Sequence, residues 1–215
     1  MSGPIASTRP LLLGFPPSTF TQTAALTLFE KGVDFDFSIP DPENDAYDVI
    51  HPFRKVPALT FGDTVIFETM AICVYADENF AGPRLQPEGP ERYAMIEWIS
   101  AFLDYYRQAL VRGVINEVFI KPTFGMETDA ARLAADLASA EPLLAVLDRQ
   151  LTGRSYLASE QISLADLFFA PPLHYVALFD DGGRMLARYA EVTRWLRALV
   201  TRRSFQRLQE LAPTE

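Results

Sequence analysis

Ser18 stands at a position where a hydroxyl group could act on an anion. It follows a short apolar run, Leu11–Leu13, that predicts a buried strand, and it precedes a stretch of helical periodicity over residues 19–31. Serine is a favoured residue at a helix N-cap. The exposed N–H groups and positive dipole end of a helix N-terminus also favour a bound anion. Local sequence alone favours the capping role, and Thr19 is the next hydroxyl along the chain.

Two other places combine polar groups with the start of an element. Lys55 and Val56 precede Pro57, which opens a predicted strand over residues 57–61, and Glu68 and Thr69 open a predicted helix over residues 68–80. Each place also has an ordinary interpretation. Lys55 can be an ordinary exposed lysine. The Val56–Pro57 bond can be trans, since only about 5–6% of X–Pro bonds are cis. Glu68 and Thr69 can form a plain helix cap.

A third polar pair, Ser163 and Asp166, has capping-box spacing. Ser163 is expected to accept from the N–H of Asp166, whose carboxylate reaches back to the N–H of Ser163. The predicted role of the pair is structural.

Cysteine and histidine are scarce. The single cysteine, Cys73, excludes an internal disulfide, a multi-cysteine metal cluster and an intramolecular CxxC pair, and it fits a reducing, cytoplasmic location. Its place inside a predicted helix indicates a small buried hydrophobe. With only His51 and His174, a histidine-rich metal site is not expected, so no metal is predicted.

Length and charge narrow the class of partner. The chain has 215 residues, and 19 basic against 28 acidic residues give a net charge of −9. A strongly negative chain is a poor binder of nucleic acid or anionic membranes. No apolar run approaches the roughly 20 residues of a membrane span, so neither partner is expected. Residues 1–9 are predicted to be a short N-terminal tail.

The elements that must position these groups form two blocks. Residues 10–81 alternate strand, helix, strand, loop or short helix, hairpin and helix, which predicts a small α/β domain. Residues 82–90 are a linker rich in proline and glycine. Residues 91–215 are helical in rhythm and predict an all-α domain. Pro142 is expected to kink or restart its helix, and a long first helix is expected to carry one apolar stripe: Ile96, Ile99, Leu103, Tyr106 and Leu110.

In this order, the four motifs resemble those of the cytosolic glutathione transferases. The quoted segments are Gly14 to Thr19 after the first strand, Lys55 to Leu59, Glu68 to Ile72, and Ser163 to Asp166. The resemblance spans nearly the whole chain. It implies a thioredoxin-like α/β N-terminal domain and an all-α C-terminal domain, with glutathione as cosubstrate and a small electrophile as second substrate.

The resemblance also implies roles for single residues. A free thiol titrates near pH 8.5, so the thiolate needs stabilising, and Ser18 would donate to it from the helix N-terminus. Val56, before a cis Pro57, would pair with the cysteinyl part of glutathione, and Lys55 would face its glycine carboxylate. Glu68 would accept from the glutamyl ammonium, and Thr69 would donate to the glutamyl carboxylate.

Two features of the sequence bear on the subclass. No tyrosine precedes Tyr47 and no cysteine lies near Ser18, so the resemblance is to serine-type members of the bacterial and phi–theta-like kind. Many relatives carry an arginine four or five residues after the hydroxyl residue, where this chain has Gln22 and Thr23.

Three further expectations concern the second substrate and assembly. A pocket between the domains would be lined by aromatic residues, although aromatic residues at helical spacing are usually core; the candidates are Phe15, Tyr105, Tyr106, Phe119 and Phe124. A homodimer is implied by the resemblance. The activity that the resemblance implies is conjugation of the glutathione thiolate to an electrophile, with hydroperoxide reduction as a second activity. The alternatives on the same fold are a non-catalytic glutathione- or ligand-binding protein and a glutathione-dependent isomerase.

Overall fold

The computed structural model describes residues 9–41 and 43–211, and its chain divides into two units. One unit contains the residues up to Arg84 together with those from Arg203 onward, and the other is Leu85–Arg202. The predicted tail of residues 1–9 lies outside the described residues except for Arg9.

The first unit is built on a four-stranded mixed sheet. Its strands are β1 (Leu11–Leu13), β2 (Asp36–Ser38), β3 (Ala58–Phe61) and β4 (Thr64–Phe67), in the order β2-β1-β3-β4. β1 and β2 are parallel because a helix crosses between them, whereas β3 is antiparallel to both β1 and β4. The tight β3–β4 turn needs a positive φ, which Gly62 supplies at +57°.

Helices α1 (Thr19–Glu30) and α2 (Thr69–Asn79) complete this unit, with a 3₁₀ turn at Asp45–Val49. Their apolar sides close the core against the sheet. The core includes Leu12, Leu28, Phe37, Leu59 and Ile72, each no more than 3% exposed.

The end of the described chain belongs to this first unit. The sequence assigned residues 91–215 to the helical domain, but α9 (Arg203–Gln206) and the 3₁₀ turn Arg207–Glu210 pack against α1. Leu211 enters the core of the first unit, and the Arg207 guanidinium lies 4.2 Å from the ring centroid of Phe29. The predicted boundary is therefore corrected for residues 203–211. The reason is that their apolar side is buried against a domain distant in sequence.

The second unit is helical throughout. After α3, the chain continues without a break into a π-helical segment and then through five further helices: α3 (Pro90–Ala101), the π segment (Phe102–Ile120), α4 (Lys121–Thr123), α5 (Ala130–Leu151), α6 (Leu164–Ala177), α7 (Asp180–Leu186) and α8 (Ala190–Val200). Its largest fully buried side chains are those of Phe102, Phe168, Phe169 and Trp195. The α/β plus all-α fold class predicted from the sequence is confirmed.

The predicted apolar stripe, which runs from α3 into the π segment, is buried only in part. A π-helix closes each turn over more residues than an α-helix does, and Tyr106, Leu110 and Val114 are buried at intervals of four. Ile96 and Leu103 are 40% and 37% exposed, so those two members of the stripe were placed wrongly. Helix α5 runs through Pro142 and does not restart there.

Helix α6 begins with the capping box expected from Ser163 and Asp166. The Asp166 carboxylate is fully buried and accepts from the N–H and hydroxyl of Ser163, both at 2.9 Å. It also accepts from the N–H of Leu157 at 3.0 Å and from Trp195 Nε1 at 2.9 Å. Burial raises the pKa of Asp166 although these four donors favour its anion. The pair therefore joins α6 to the preceding loop and to α8.

Candidate functional site

The sheet register brings three of the predicted site segments to one edge. Leu13 at the end of β1 pairs with Ala58, and Ala58 pairs with Phe67 at the end of β4. Neighbouring strands lie about 4.8 Å apart, so this row of three strands spans about 10 Å. The loop that leads to Ser18 follows β1, Val56 and Pro57 precede β3, and Glu68 follows β4.

The Ser18 side chain caps α1 as a hydrogen-bond acceptor, so its hydroxyl hydrogen can be donated to another group. Its backbone is extended, at φ −69° and ψ 121°, and its Oγ accepts from the N–H of Thr21 at 3.3 Å. The side chain is half-buried, whereas Thr19 is only 5% exposed. The first turn of α1 contains no acidic residue that would repel an anion. Between the two hydroxyls left open by the sequence, the geometry favours Ser18.

Two side chains of α1 hold the loop in front of Ser18. Thr21 Oγ1 accepts from the N–H of Phe15 at 3.3 Å, and Gln22 Nε2 donates to the carbonyl of Pro16 at 2.9 Å. The N–H of Ser18 closes the turn on the carbonyl of Phe15 at 2.8 Å. A Cβ on Gly14 would lie 2.3 Å from Thr21 Cγ2, so the loop passes the helix too closely for any larger residue.

The Val56–Pro57 peptide bond is cis, and Val56 lies two residues before Ala58, the first paired residue of β3. Its backbone groups therefore lie outside the paired part of β3, where an extended peptide could pair with them. The hydroxyl of Tyr47 donates to the carbonyl of Lys55 at 2.8 Å. The side chain of Lys55 is exposed.

Arg54, next to Lys55, is committed to the acidic 3₁₀ turn. Its guanidinium donates to Asp45 at 2.7 Å and to Asp48 at 2.6 and 2.8 Å. The guanidinium holds the pKa of Asp48 below its usual range. Of these two neighbouring cations, Lys55 is therefore the better placed to meet a carboxylate.

Glu68 has a backbone conformation that a non-glycine residue seldom adopts, with φ +69°. It occupies the N-cap position of α2, yet its side chain makes no capping hydrogen bond and is exposed. Thr69 follows as the first helical residue and is 5% exposed. The plain capping interpretation therefore does not fit Glu68, whose carboxylate can meet a ligand beside the N-terminus of α2.

The neutral ring of His51 is buried beside Phe67, at the end of β4. It is 1% exposed, its ring centroid is 5.2 Å from that of Phe67, and its Nδ1 accepts from the N–H of Phe53 at 3.3 Å. Burial lowers the pKa of His51, and the negative charge of Glu68 opposes that shift.

Cys73 takes no part in thiol chemistry. It is fully buried in α2, where burial raises the pKa of its thiol to about 12 and the hydroxyl of Thr27 donates to its sulfur at 3.1 Å. A reactive cysteine needs a low pKa and some exposure. Among residues 9–41 and 43–211, no three His, Cys, Asp or Glu residues converge as metal ligands would.

Of the aromatic residues predicted for a second-substrate pocket, two are packed against other side chains and three are exposed. Tyr106 is 2% exposed and its hydroxyl donates to the carbonyl of Leu143, so Tyr106 belongs to the helical core and its placement in a pocket is corrected. Phe119 packs on Tyr175 with ring centroids 5.0 Å apart. The remaining three are exposed: Phe15 by 37%, Tyr105 by 62% and Phe124 by 68%.

Sequence reasoning missed the supporting side chains. In the sequence, Tyr47 is notable only as the first tyrosine of the chain, and Gln22 only because many relatives have an arginine near that position. Thr21 was not considered at all. A hydroxyl three residues after a helix cap is the one local signal that points to Thr21, and it is common in helices that hold no ligand.

Comparison with known proteins decides the family. The family model for the glutathione S-transferase N-terminal domain matches residues 17–79, and the model for the C-terminal domain matches residues 130–198. Glutathione S-transferase F6 of Arabidopsis thaliana is 31% identical over 195 residues, covering 85% of this chain and 93% of that protein. The chain belongs to the glutathione S-transferase family. The activity of the family, conjugation of glutathione to electrophilic compounds, is therefore its activity.

Other relatives agree in sequence and in fold. Glutathione S-transferase 1 of Zea mays is 31% identical over 201 residues, covering 87% of this chain and 89% of that protein. A solved glutathione S-transferase I bound with lactoylglutathione has a TM-score of 0.87 at 29% identity, covering 95% of this chain and all of the other. Glutathione S-transferase I from mais, in complex with an atrazine glutathione conjugate, has a TM-score of 0.85 at 30% identity, covering 94% and 97%.

None of the described helices combines the length and the apolar character that crossing a bilayer requires.

Proposed function

We propose that Ser18 activates the thiol of glutathione for attack on an electrophilic small molecule. The observation that carries this proposal is the geometry of the hydroxyl. Ser18 Oγ accepts from the N–H of Thr21, so its own hydrogen can be donated to a sulfur anion at the N-terminus of α1. Each pKa unit by which the thiol is lowered corresponds to about 1.4 kcal/mol of preferential binding of the thiolate. A donor and a helix N-terminus together can supply that energy.

The rest of the peptide is proposed to lie along the same edge of the sheet. The backbone of Val56, before the cis Pro57, would pair with the cysteinyl residue as an added strand. Lys55 would meet the glycine carboxylate. Glu68 would accept from the glutamyl ammonium, and Thr69 at the start of α2 would donate to the glutamyl carboxylate.

The chemical step follows from these placements. Ionisation of the bound thiol releases its proton to solvent, and the hydroxyl of Ser18 donates to the sulfur without losing its own proton. The thiolate then forms the carbon–sulfur bond as the electrophile accepts the electron pair or expels its leaving group. Proper placement of the donor before reaction is what lowers the barrier.

The decisive experiment is the ultraviolet thiolate band of bound glutathione, followed against pH for the wild type and for Ser18→Ala. We expect the pKa of the bound thiol to lie well below that of free glutathione and to rise in the variant. The rate should fall roughly ten- to a thousand-fold, as for a lost oxyanion donor. An unchanged pKa in Ser18→Ala would transfer the role to the helix N-terminus or to Thr19.

We also propose that the chain forms a homodimer and works in the cytoplasm. Family membership supports the first and the single buried cysteine supports the second. Light scattering at micromolar concentration measures the association state directly.

A further inference from the structure

The loop between β1 and α1 is held chiefly by side chains of α1. It has only five residues, from Gly14 to Ser18, and its own backbone contributes the bond from the N–H of Ser18 to the carbonyl of Phe15. The N–H of Gly14 donates to the carbonyl of Ser38 in β2 at 3.0 Å. The side chains that hold the rest of the loop, Thr21 and Gln22, belong to the first turn of the helix that Ser18 caps. The position of the Ser18 hydroxyl therefore depends on which side chains stand in that turn.

Thr21 contacts this loop in three ways. Its N–H donates to Ser18 Oγ, its Oγ1 accepts from the N–H of Phe15, and its methyl group lies against Gly14. The Thr21 side chain is fully buried, so the packing around it fixes its orientation. Thr21 thus contacts both ends of the loop, and its N–H also donates to the hydroxyl oxygen of Ser18.

Gln22 holds the middle of the same loop. Its Nε2 donates to the carbonyl of Pro16 at 2.9 Å, and its own N–H donates to the carbonyl of Ser18 at 2.9 Å. A proline carbonyl in a short loop has no partner within a sheet or helix, and an unpaired carbonyl costs free energy where it is withdrawn from water. The amide of Gln22 therefore ties the loop to the helix at a point that the backbone alone leaves open.

We propose that Thr21 and Gln22 are positioning residues that hold the Ser18 loop in the geometry in which its hydroxyl meets the thiol sulfur. This inference rests on the proposed role of Ser18. Neither residue needs to touch glutathione, because both act through the loop. The side chain of Gln22 is a neutral amide. Holding the carbonyl of Pro16 requires a hydrogen-bond donor but no positive charge.

The test uses isosteric losses of single hydrogen bonds in the full chain. Gln22→Met keeps the length of the side chain and removes the donor to Pro16. Thr21→Val keeps the shape and removes the acceptor for Phe15. Thr21→Ser restores a hydroxyl and should recover most of what Thr21→Val loses.

The readouts are the pH titration of the bound glutathione thiolate and steady-state kinetics with chlorodinitrobenzene. We expect the pKa of the bound thiol to rise by about half a unit to one unit in Gln22→Met and in Thr21→Val. The value of kcat at pH 6.5 should fall roughly three- to ten-fold with KM for glutathione within about two-fold of the wild type.

Gln150→Met is the matched control. Gln150 Nε2 donates to the carbonyl of Leu157 at 2.9 Å, a half-buried bond of the same kind in the other unit. This variant should lose as much stability as Gln22→Met and leave the thiol pKa unchanged. An equal pKa shift in Gln150→Met, or none in Gln22→Met and Thr21→Val, overturns the positioning role.

Ser18→Ala separates this inference from the function on which it rests. If Ser18→Ala raises the pKa of the bound thiol and Gln22→Met does not, only the positioning role fails. If Ser18→Ala leaves the thiol unshifted, the proposed role of Ser18 fails, and the positioning role fails with it.

Discussion

Glu68 combines an exposed carboxylate with a strained backbone. A non-glycine residue at φ +69° costs of the order of 1–3 kcal/mol, and this one receives no capping hydrogen bond in return. Strain of this kind persists where the surroundings require it, and it is concentrated at functional sites. The proposed role of Glu68 in binding glutathione would account for strain at this position.

Substitution at Glu68 should therefore separate binding from stability. Glu68→Gln keeps the shape and removes the charge, so KM for glutathione should rise roughly ten- to a hundred-fold, the worth of a charge-assisted hydrogen bond. Glu68→Gly should weaken binding as much, while the free energy of unfolding changes by less than about 1 kcal/mol because glycine tolerates this φ. Calorimetric titration with glutathione and urea unfolding measure the two quantities.

A structural role for Glu68 would give the opposite pattern. Stability would fall in both variants, and glutathione affinity would change only in proportion to the unfolded fraction. Glu88, an acidic residue in the linker region, provides a charge-matched control through Glu88→Gln, for which no change in KM is expected.

At the scale of elements, the capping box of α6 does more than start a helix. Asp166 serves four donors that come from α6, the loop before it and α8. Asp166→Ala should lower the free energy of unfolding by at least about 3 kcal/mol, since it leaves several buried donors unpaired. Thermal unfolding and expression yield measure the effect, and activity per folded molecule should be retained.

Asp129→Ala gives the comparison for that prediction. Asp129 also caps a helix, accepting from the N–H of Arg132 at 3.0 Å, but it is exposed and serves α5 alone. Its loss should lower Tm far less than the loss of Asp166 does. Equal effects would mean that the wider network of Asp166 adds nothing to the cap.

Local patterns predicted the elements whose cause is local. The strand predicted over residues 57–61 and the hairpin that it opens are observed as β3 and β4, and the helix predicted over residues 19–31 is observed as α1. The π segment could not be predicted, because an α-helix and a π-helix share the same residue preferences and differ in hydrogen bonding. The placement of Leu211 depends on a core formed by residues distant in sequence.

The site was predictable to the extent that its residues belong to ordered motifs. Ser18, Pro57 and Glu68 were singled out from motif order, and the sheet register then brought their segments to one edge. The supporting contacts of Tyr47 and Gln22 were not predictable, because each joins a side chain to a backbone carbonyl whose position only the fold defines.

At the scale of the whole molecule, both histidines are withdrawn from water, and burial lowers the pKa of each. In the unfolded chain a histidine titrates near pH 6.5. As pH falls below that value, the unfolded chain therefore binds protons that the native chain does not, and stability must fall. The raised pKa of Asp166 acts in the opposite direction above pH 3.8, since there the native chain binds the extra proton.

Single-histidine variants isolate these contributions, because the effect of Asp166 is common to all and cancels in the difference. We expect each histidine to lower the free energy of unfolding as the pH falls from 7.5 to 5.5, by at most about 1.4 kcal/mol per pH unit below 6.5. His51→Gln and His174→Gln should each flatten the curve, His51 through its near-complete burial. Urea unfolding at half-unit pH steps gives the curves. Parallel curves for wild type and His51→Gln would mean that His51 takes up its proton equally well in the folded and unfolded chains, against its enclosure by Phe53 and Phe67.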